Sequence, residues 1–235
     1  MSRLGSIFAT APAITDEEHV ISPQEIAAAY DQLAVRWVAP DFDQTNGIEA
    51  HQRALSWVEG AASAAALDVG CGSNPRIARL LAARGYRVDG VDLSAGMLAL
   101  ARQANVHADL YEADICSWQP PHQYAFISAW DSIWHVPLMA QAAVLQKLCA
   151  ALQPDGIFIF TFGGLSSAAA HTDASMGVPL YYSTLGVART LAVVHRSGCV
   201  CRHLEYDQSG QPHAVLVVQR IDAGVARPEA HHAEC

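Results

Sequence analysis

The hydrophobic pattern changes period near residue 65. Before it, apolar positions recur at helical spacing. Beyond it, short apolar runs alternate with helical stretches. Ser22-Pro23-Gln24-Glu25 places a hydroxyl at the N-cap, proline at the first helical position and glutamate at the third, a capping box that Ile26, Tyr30, Leu33 and Trp37 follow on one face. The spacing predicts a helix over 23–38, which Pro40 and the polar stretch 41–47 end. A second helix is expected over 47–60, turning Ile48, Leu55 and Val58 inward.

From residue 65 the pattern reads as strands alternating with helices, the order that builds a parallel sheet covered on both faces. Strands are expected over 65–69, 87–93, 106–111, 124–130 and 157–162. Between them, Asn74-Pro75 opens a helix carrying Ile77, Leu80 and Leu81 that ends at Gly85, and Ser94 caps another through Gln103. Leu138, Ala142, Leu145, Leu148 and Leu152 mark a long third helix before the Pro154-Asp155-Gly156 turn. The 157–162 run has no polar face and belongs mid-sheet. The small, polar stretch 163–179 reads as a functional loop. A helix over 183–197 and a strand pair, 199–207 and 213–221 around Ser209-Gly210, complete the pattern, with a frayed tail after Asp222.

Composition narrows the class. The chain has 235 residues, enough for one large domain, and 51% are hydrophobic, largely alanine. Its longest apolar runs fall far short of the roughly 20 residues of a bilayer helix. With 14 basic and 23 acidic residues the formal charge is −9, and no basic stripe offsets it, so neither nucleic acid nor membrane is an expected partner. Six cysteines show no disulfide spacing, and the N-terminus lacks a leader pattern. Reduced thiols in a cytoplasmic protein are the expectation. Cys199-Val200-Cys201 has no second pair to complete a zinc site, so no metal is expected.

The chemistry lies where strands meet helices. Asp68-Val69-Gly70-Cys71-Gly72-Ser73-Asn74-Pro75 is a glycine-rich turn after the first strand, where a doubly wound sheet binds its ligand. Gly70 and Gly72 permit positive φ, and Asn74, where a third glycine is often found, tolerates the left-handed region. Asp92, after the second strand, is placed to accept hydrogen bonds from ribose hydroxyls, and Asp114, after the third, from an adenine amino group. Together they point to a ligand bearing a nucleoside.

These residues resemble the class I S-adenosylmethionine-dependent methyltransferases of small-molecule type, over nearly the whole stretch 30–221. Asp68-Val-Gly-Cys-Gly is similar to that family's first motif, Val91-Asp92-Leu93-Ser94 with Met97-Leu98 to its second, and Ala113-Asp114-Ile115 to its third. Tyr30-Asp31 and the turn from Leu152 to Ile157 are also familiar. The resemblance implies an α/β fold, a doubly wound, Rossmann-like seven-stranded sheet, mostly parallel with an antiparallel last strand. It implies three segments: an N-terminal helical cap over 1–62, a catalytic core over 63–222 and a flexible tail over 223–235. S-adenosylmethionine would be the donor and S-adenosylhomocysteine the product, with no metal. Tyr30, Asp68, Gly70, Cys71, Gly72, Asn74, Asp92, Leu93, Met97, Asp114, Ile115, Trp130 and Asp131 would bind the donor. The acceptor would be a small molecule methylated on N or O, and the chain a monomer or homodimer. Two other readings stay open: a nucleoside-binding sensor of the same fold, and a nicotinamide dehydrogenase. The latter's third glycine would fall at Pro75, and Asp68 would sit badly beside a pyrophosphate.

In such an enzyme the residues after the fourth strand face the transferred methyl. Trp134 and His135 would border the acceptor, with Trp37, Met176, Tyr181 and Tyr182 lining its pocket and Phe42 and His171 nearby. His135 is the candidate general base, with activity rising through about pH 6 to 7. Capping or packing the helix that begins at Pro137 would account for it equally.

Overall fold

The computed structural model describes residues 21–58, 63–104 and 108–221. Helices α1 (Pro23–Leu33) and α2 (Ile48–Leu55) precede the sheet. The alternating part is β1 (Ala65–Val69), α3 (Arg76–Ala83), β2 (Arg87–Asp92), α4 (Ala95–Gln103), β3 (Ala108–Glu112), β4 (Tyr124–Ala129), α5 (Leu138–Ala150) and β5 (Leu152–Gly163). A hairpin of β6 (Ala169–Asp173) and β7 (Leu180–Thr184) follows, then α6 (Val187–Arg196), β8 (Cys199–Tyr206) and β9 (His213–Arg220).

The seven-stranded sheet runs β3-β2-β1-β4-β5-β9-β8. Its first five strands are parallel, and β9 is antiparallel to both neighbours, so the expected α/β doubly wound architecture holds. The strand order reverses between β1 and β4, which opens a crevice at their carboxyl ends. β1 and β4 are buried along their whole length and β5 from Gly156 onward, which suits their mostly apolar sequence, Asp68, Ser128 and Thr161 being the polar exceptions. Phe158, Phe160 and Phe162 face α5 and α6, while Ile157 and Ile159 face the α2 and α3 side. A third cluster joins Ile26 and Leu33 of α1 to Trp134, Leu180 and Tyr182. No helix among the described residues is long and apolar enough to cross a membrane.

Local signals set most boundaries. Ser22 makes the complete capping box and Ser94 caps α4 through the Met97 N–H. Several expectations need correction. The first helix stops at Leu33 and continues to Val38 as a tighter 3₁₀ turn. The second ends at Leu55, and the expected stretch from 59 to 60 lies outside the described residues. The third strand is Ala108–Glu112, of which the expected residues 106 and 107 are likewise outside. The Pro154-Asp155-Gly156 turn is an irregularity within β5, with Asp155 at φ 60°.

The largest correction concerns 163–184. The expected loop contains β6, and Tyr181, Tyr182, Ser183 and Thr184 belong to its partner strand β7, so α6 begins at Val187. Ser183 and Thr184 are buried because their hydroxyls donate to the Val136 and Gly163 carbonyls, at 2.7 and 2.6 Å. Such partners are distant in sequence and leave no periodicity. The expected cap residues 1–20 and the tail from 222 lie outside the described residues.

Phe160 is fully buried at the centre of the core. Phe160→Ala is expected to lower stability by about 3 to 5 kcal/mol, read from the urea midpoint at unchanged m-value.

Candidate functional site

The crevice at the sheet's carboxyl edge is one cavity of about 1290 Å³. At one end lies the turn after β1. Gly70 and Gly72 hold φ of 67° and 61°. A Cβ on Gly70 would stand 2.3 Å from the Ser132 Cβ, whereas one on Gly72 would meet nothing nearer than the Gly70 carbonyl oxygen at 3.9 Å. The first glycine therefore serves close packing and the second leaves the backbone open to a ligand. Asp92 ties this turn to the next, its Oδ2 accepting from the Gly72 N–H and its Oδ1 from the Ser94 N–H, both at 2.9 Å. Burial raises the Asp92 carboxyl above its ordinary range, opposed by hydrogen bonds from the Ser94, Gly72 and Leu93 backbone.

Asn74 departs from expectation. It lies outside the left-handed region and instead works through its side chain, donating to the Trp37 carbonyl at 2.6 Å and to Gln44 Oε1 at 3.0 Å while accepting from the Arg76 N–H. Ser73 Oγ donates to the Ala34 carbonyl, and Asp31 Oδ1 accepts from Ser94 Oγ and the Gly96 N–H. The N-terminal helices are thereby bound directly to both turns. On the far side Asp114 accepts from the Cys116 N–H, and Lys147 of α5 reaches across to the carbonyls of Ile115, Cys116 and Trp118.

Asp68 is buried beneath the turn and does not line the cavity. Its neighbours account for its protons. The Nδ1–H of His51 donates to the Gly47 carbonyl at 2.7 Å, so Nε2 accepts from the Ser128 hydroxyl at 2.9 Å, and Ser128 in turn bonds Asp68. Burial pushes Asp68 up to about 7 and His51 down to about 4, so at neutral pH His51 carries no charge.

The cavity's other end is aromatic. His135 donates from Nδ1 to the Tyr181 carbonyl at 2.7 Å, which leaves Nε2 to accept from the Tyr30 hydroxyl at 2.6 Å and the Trp134 indole N–H at 3.0 Å. Tyr30, Trp37, Trp134, His135, Met176 and Tyr182 line this end together with Phe42. Two expected pocket residues do not. Tyr181 lies behind His135, its hydroxyl accepting from the Leu138 N–H, and His171 stacks on Tyr182 with rings 5.4 Å apart. Burial lowers His135 to about 4, against the Tyr181 hydrogen bond and the Asp131 charge. The expected titration between pH 6 and 7 is therefore corrected: the ring is already neutral there.

Between the two ends stands Asp131, a non-glycine residue at φ 53°. Its N–H donates to Thr161 Oγ1, Asn46 Nδ2 donates to its Oδ2, and Thr161 and His213 donate to its Oδ1. Asn46, His51, Lys147, Asp207 and His213 have no local sequence signal, because each gains its role from partners on distant elements.

Residues 66–156 match a family of proteins described as "Methyltransferase domain". This stretch is similar to a methyltransferase domain. It spans β1 to Gly156 and holds every residue of the glycine turn, Asp92, Asp114 and Asp131. The chain is 32% identical over 99 residues to a dTDP-3-amino-3,6-dideoxy-alpha-D-glucopyranose N,N-dimethyltransferase of Streptomyces fradiae, covering 41% of this chain and 38% of that protein. It is 28% identical over 156 residues to the ubiquinone biosynthesis O-methyltransferase of Idiomarina loihiensis, covering 62% of each. The chain thus matches between about two fifths and three fifths of these relatives' length. In fold it resembles magnesium protoporphyrin IX methyltransferase from Synechocystis PCC 6803, at TM-score 0.66 and 13% identity over 88% of this chain and all of that one.

The matched stretch fits an adenosyl ligand on its own geometry: Gly72 is open to the cavity, and carboxylates stand at the end of β2 and just after β3.

The raised carboxyl of Asp68 makes a sign-definite forecast. Its folded pKa of about 7 exceeds the ordinary value near 3.8, so its contribution is full below about pH 4 and is lost as pH rises through 7. Asp68→Asn, which can still donate to Ser128, is expected to gain stability relative to wild type between pH 4 and 8, on the order of a few kcal/mol, in matched urea titrations.

Proposed function

We propose that the protein transfers a methyl group from S-adenosylmethionine to a small-molecule acceptor at nitrogen or oxygen. The observation that carries this reading is a single cavity with the glycine turn, Asp92 and Asp114 at one end and the Tyr30–His135 pair at the other. It has room for two reactants in contact. The similar proteins act, by their names, on an amino sugar nucleotide and in ubiquinone biosynthesis, which favours small acceptors over macromolecules. We place the reaction in the cytoplasm, consistent with free cysteines 71, 116, 149, 199 and 201.

S-adenosylmethionine supplies, when bound, an electrophilic sulfonium methyl that an acceptor lone pair displaces in line. The chain's own residues bind and orient. Asp92 presents a buried carboxylate to the ribose, and Leu93, Met97, Asp114 and Ile115 enclose the base. Gly70, Cys71, Gly72 and Asn74 form the floor, and Tyr30, Trp130 and Asp131 flank the methionine end. Holding both reactants in one closed cavity is the main source of rate.

Tyr30 and His135 both line the cavity and are hydrogen-bonded to each other. A proton leaving the acceptor passes to the Tyr30 oxygen as the Tyr30 proton passes to His135 Nε2, while Nδ1–H stays on the Tyr181 carbonyl. Burial makes His135 a weak base. It therefore takes the proton late, from an acceptor atom made acidic by its partial bond to the methyl.

Production of S-adenosylhomocysteine across a panel of amines, phenols and carboxylic acids tests the reading directly. In thermal unfolding, S-adenosylhomocysteine is expected to raise Tm and NADH to leave it unchanged. The reverse pattern would point to the dehydrogenase reading.

Asp92→Ala removes a ribose acceptor and the partner of the Gly72 N–H. Calorimetry should show S-adenosylhomocysteine affinity falling at least about tenfold, the equivalent of losing roughly 1.5 to 3 kcal/mol.

His135→Ala is expected to leave that affinity within about twofold and to reduce turnover by about 10²- to 10⁴-fold. Because the ring is already neutral, wild-type turnover should show no histidine limb between pH 6 and 7. An unchanged turnover in the variant would remove the proton relay and leave proximity as the mechanism.

A further inference from the structure

His213 opens β9 and is almost fully buried behind the cavity wall. Its Nε2 lies 3.1 Å from Asp131 Oδ1, and its Nδ1 meets Asp207 Oδ1. Ionised carboxylates only accept hydrogen bonds, so a ring that satisfies both carries two N–H groups and a positive charge. The edges of Trp134 and Trp130 close around it, with ring centroids at 5.4 and 6.4 Å. His213 does not line the cavity, whereas Asp131 does, as do Gln208 and Gln211 of the turn that carries Asp207.

We propose that His213 is a positioning residue: clamped between Asp131 and Asp207, it holds the Asp131 carboxylate aimed at the ammonium group of the donor's methionine end. The proposal rests on the methyl-transfer reading and adds two residues, His213 and Asp207, that touch neither reactant. The physical argument is one of charge. Without a cation between them, two buried carboxylates repel, and one takes up a proton. Asp131 and Asp207 are both largely shielded from water, and the His213 ring is the group that stands between them. The other ionisable groups around Asp131 do not replace the clamp. Arg76 of α3 acts on it at longer range, while His135 and Tyr30 are neutral. Burial alone would lower the His213 pKa, yet its hydrogen bonds and charge pairing with Asp131 and Asp207 carry it up to about 9. The clamp also supports the left-handed backbone of Asp131 by tying it to the β8–β9 turn.

The test compares full-length wild type, His213→Gln and Asp207→Asn by calorimetry, titrating S-adenosylhomocysteine and 5′-methylthioadenosine, which keeps the nucleoside and lacks the ammonium. Glutamine can bridge both carboxylates without charge. His213→Gln is expected to bind S-adenosylhomocysteine about tenfold more weakly, because the cation that holds the Asp131 carboxylate in place is gone. In Asp207→Asn the ring still donates its Nε2–H to Asp131, because the new amide can donate to Nδ1, so S-adenosylhomocysteine affinity is expected to fall less than in His213→Gln. A larger loss in His213→Gln than in Asp207→Asn, with methylthioadenosine affinity unchanged in both, supports the clamp. Wild-type affinity in both variants overturns it, as does equal weakening of the two compounds, which marks a merely structural residue. If His213→Gln does not fold, selective weakening of S-adenosylhomocysteine over methylthioadenosine in Asp207→Asn decides. Wild type that binds neither compound overturns the methyl-transfer reading itself.

Discussion

The cavity depends on hydrogen bonds that bring the N-terminal helices down onto the carboxyl edge of the sheet. Ser73 and Asn74 donate to the Ala34 and Trp37 carbonyls, and Asp31 accepts from Ser94 and Gly96. Those carbonyls belong to the 3₁₀ turn that continues α1, and a helix end buried without partners would cost free energy. The glycine turn satisfies them. One set of contacts therefore both closes the site and orders the two turns that form its floor, and Tyr30 reaches His135 only because α1 is held there.

Within that closed edge, charge is sorted by partner. Asp68 lies within β1, Asp92 ends β2 and Asp131 follows β4, all largely removed from water, and each meets burial differently. Asp68 is pushed up to about 7 beside the Ser128–His51 chain. Asp92 is opposed in its desolvation by backbone N–H groups. Asp131 faces a buried imidazolium. Carboxylates in one crevice would repel if all were ionised without such partners. Their distinct surroundings give the same residue type three different electrostatic settings along one edge of the sheet.

The two histidines nearest the cavity make the same point with opposite signs. His135 has a carbonyl on one nitrogen and a hydroxyl and an indole N–H on the other, which fixes a neutral tautomer. His213 has carboxylates on both sides and is a cation. His135 sits beside Trp134 in the segment after β4 and was accessible to sequence reasoning. His213 sits at the start of a strand with no neighbour in sequence to announce it, and its meaning comes from Asp131, 82 residues away.

Sequence by itself determined the parts governed by local physics. The period of apolar residues set the alternation of strands and helices, serine caps set two helix starts, and Gly70 and Gly72 marked a turn that needs positive φ. Acidic residues after β2 and β3 completed a nucleoside signature, since their spacing follows from the strands themselves. Tertiary structure decided what depends on a partner far along the chain. Asn74 acts by its side chain rather than by a left-handed backbone because the Trp37 carbonyl lies within reach. Residues 181–184 became a strand because the β6 backbone and the Val136 and Gly163 carbonyls were there to pair with. The protonation of Asp68, His135 and His213 was likewise beyond the sequence, because a pKa is set by burial and by the nearest charges and donors, and those are known only once the chain has folded.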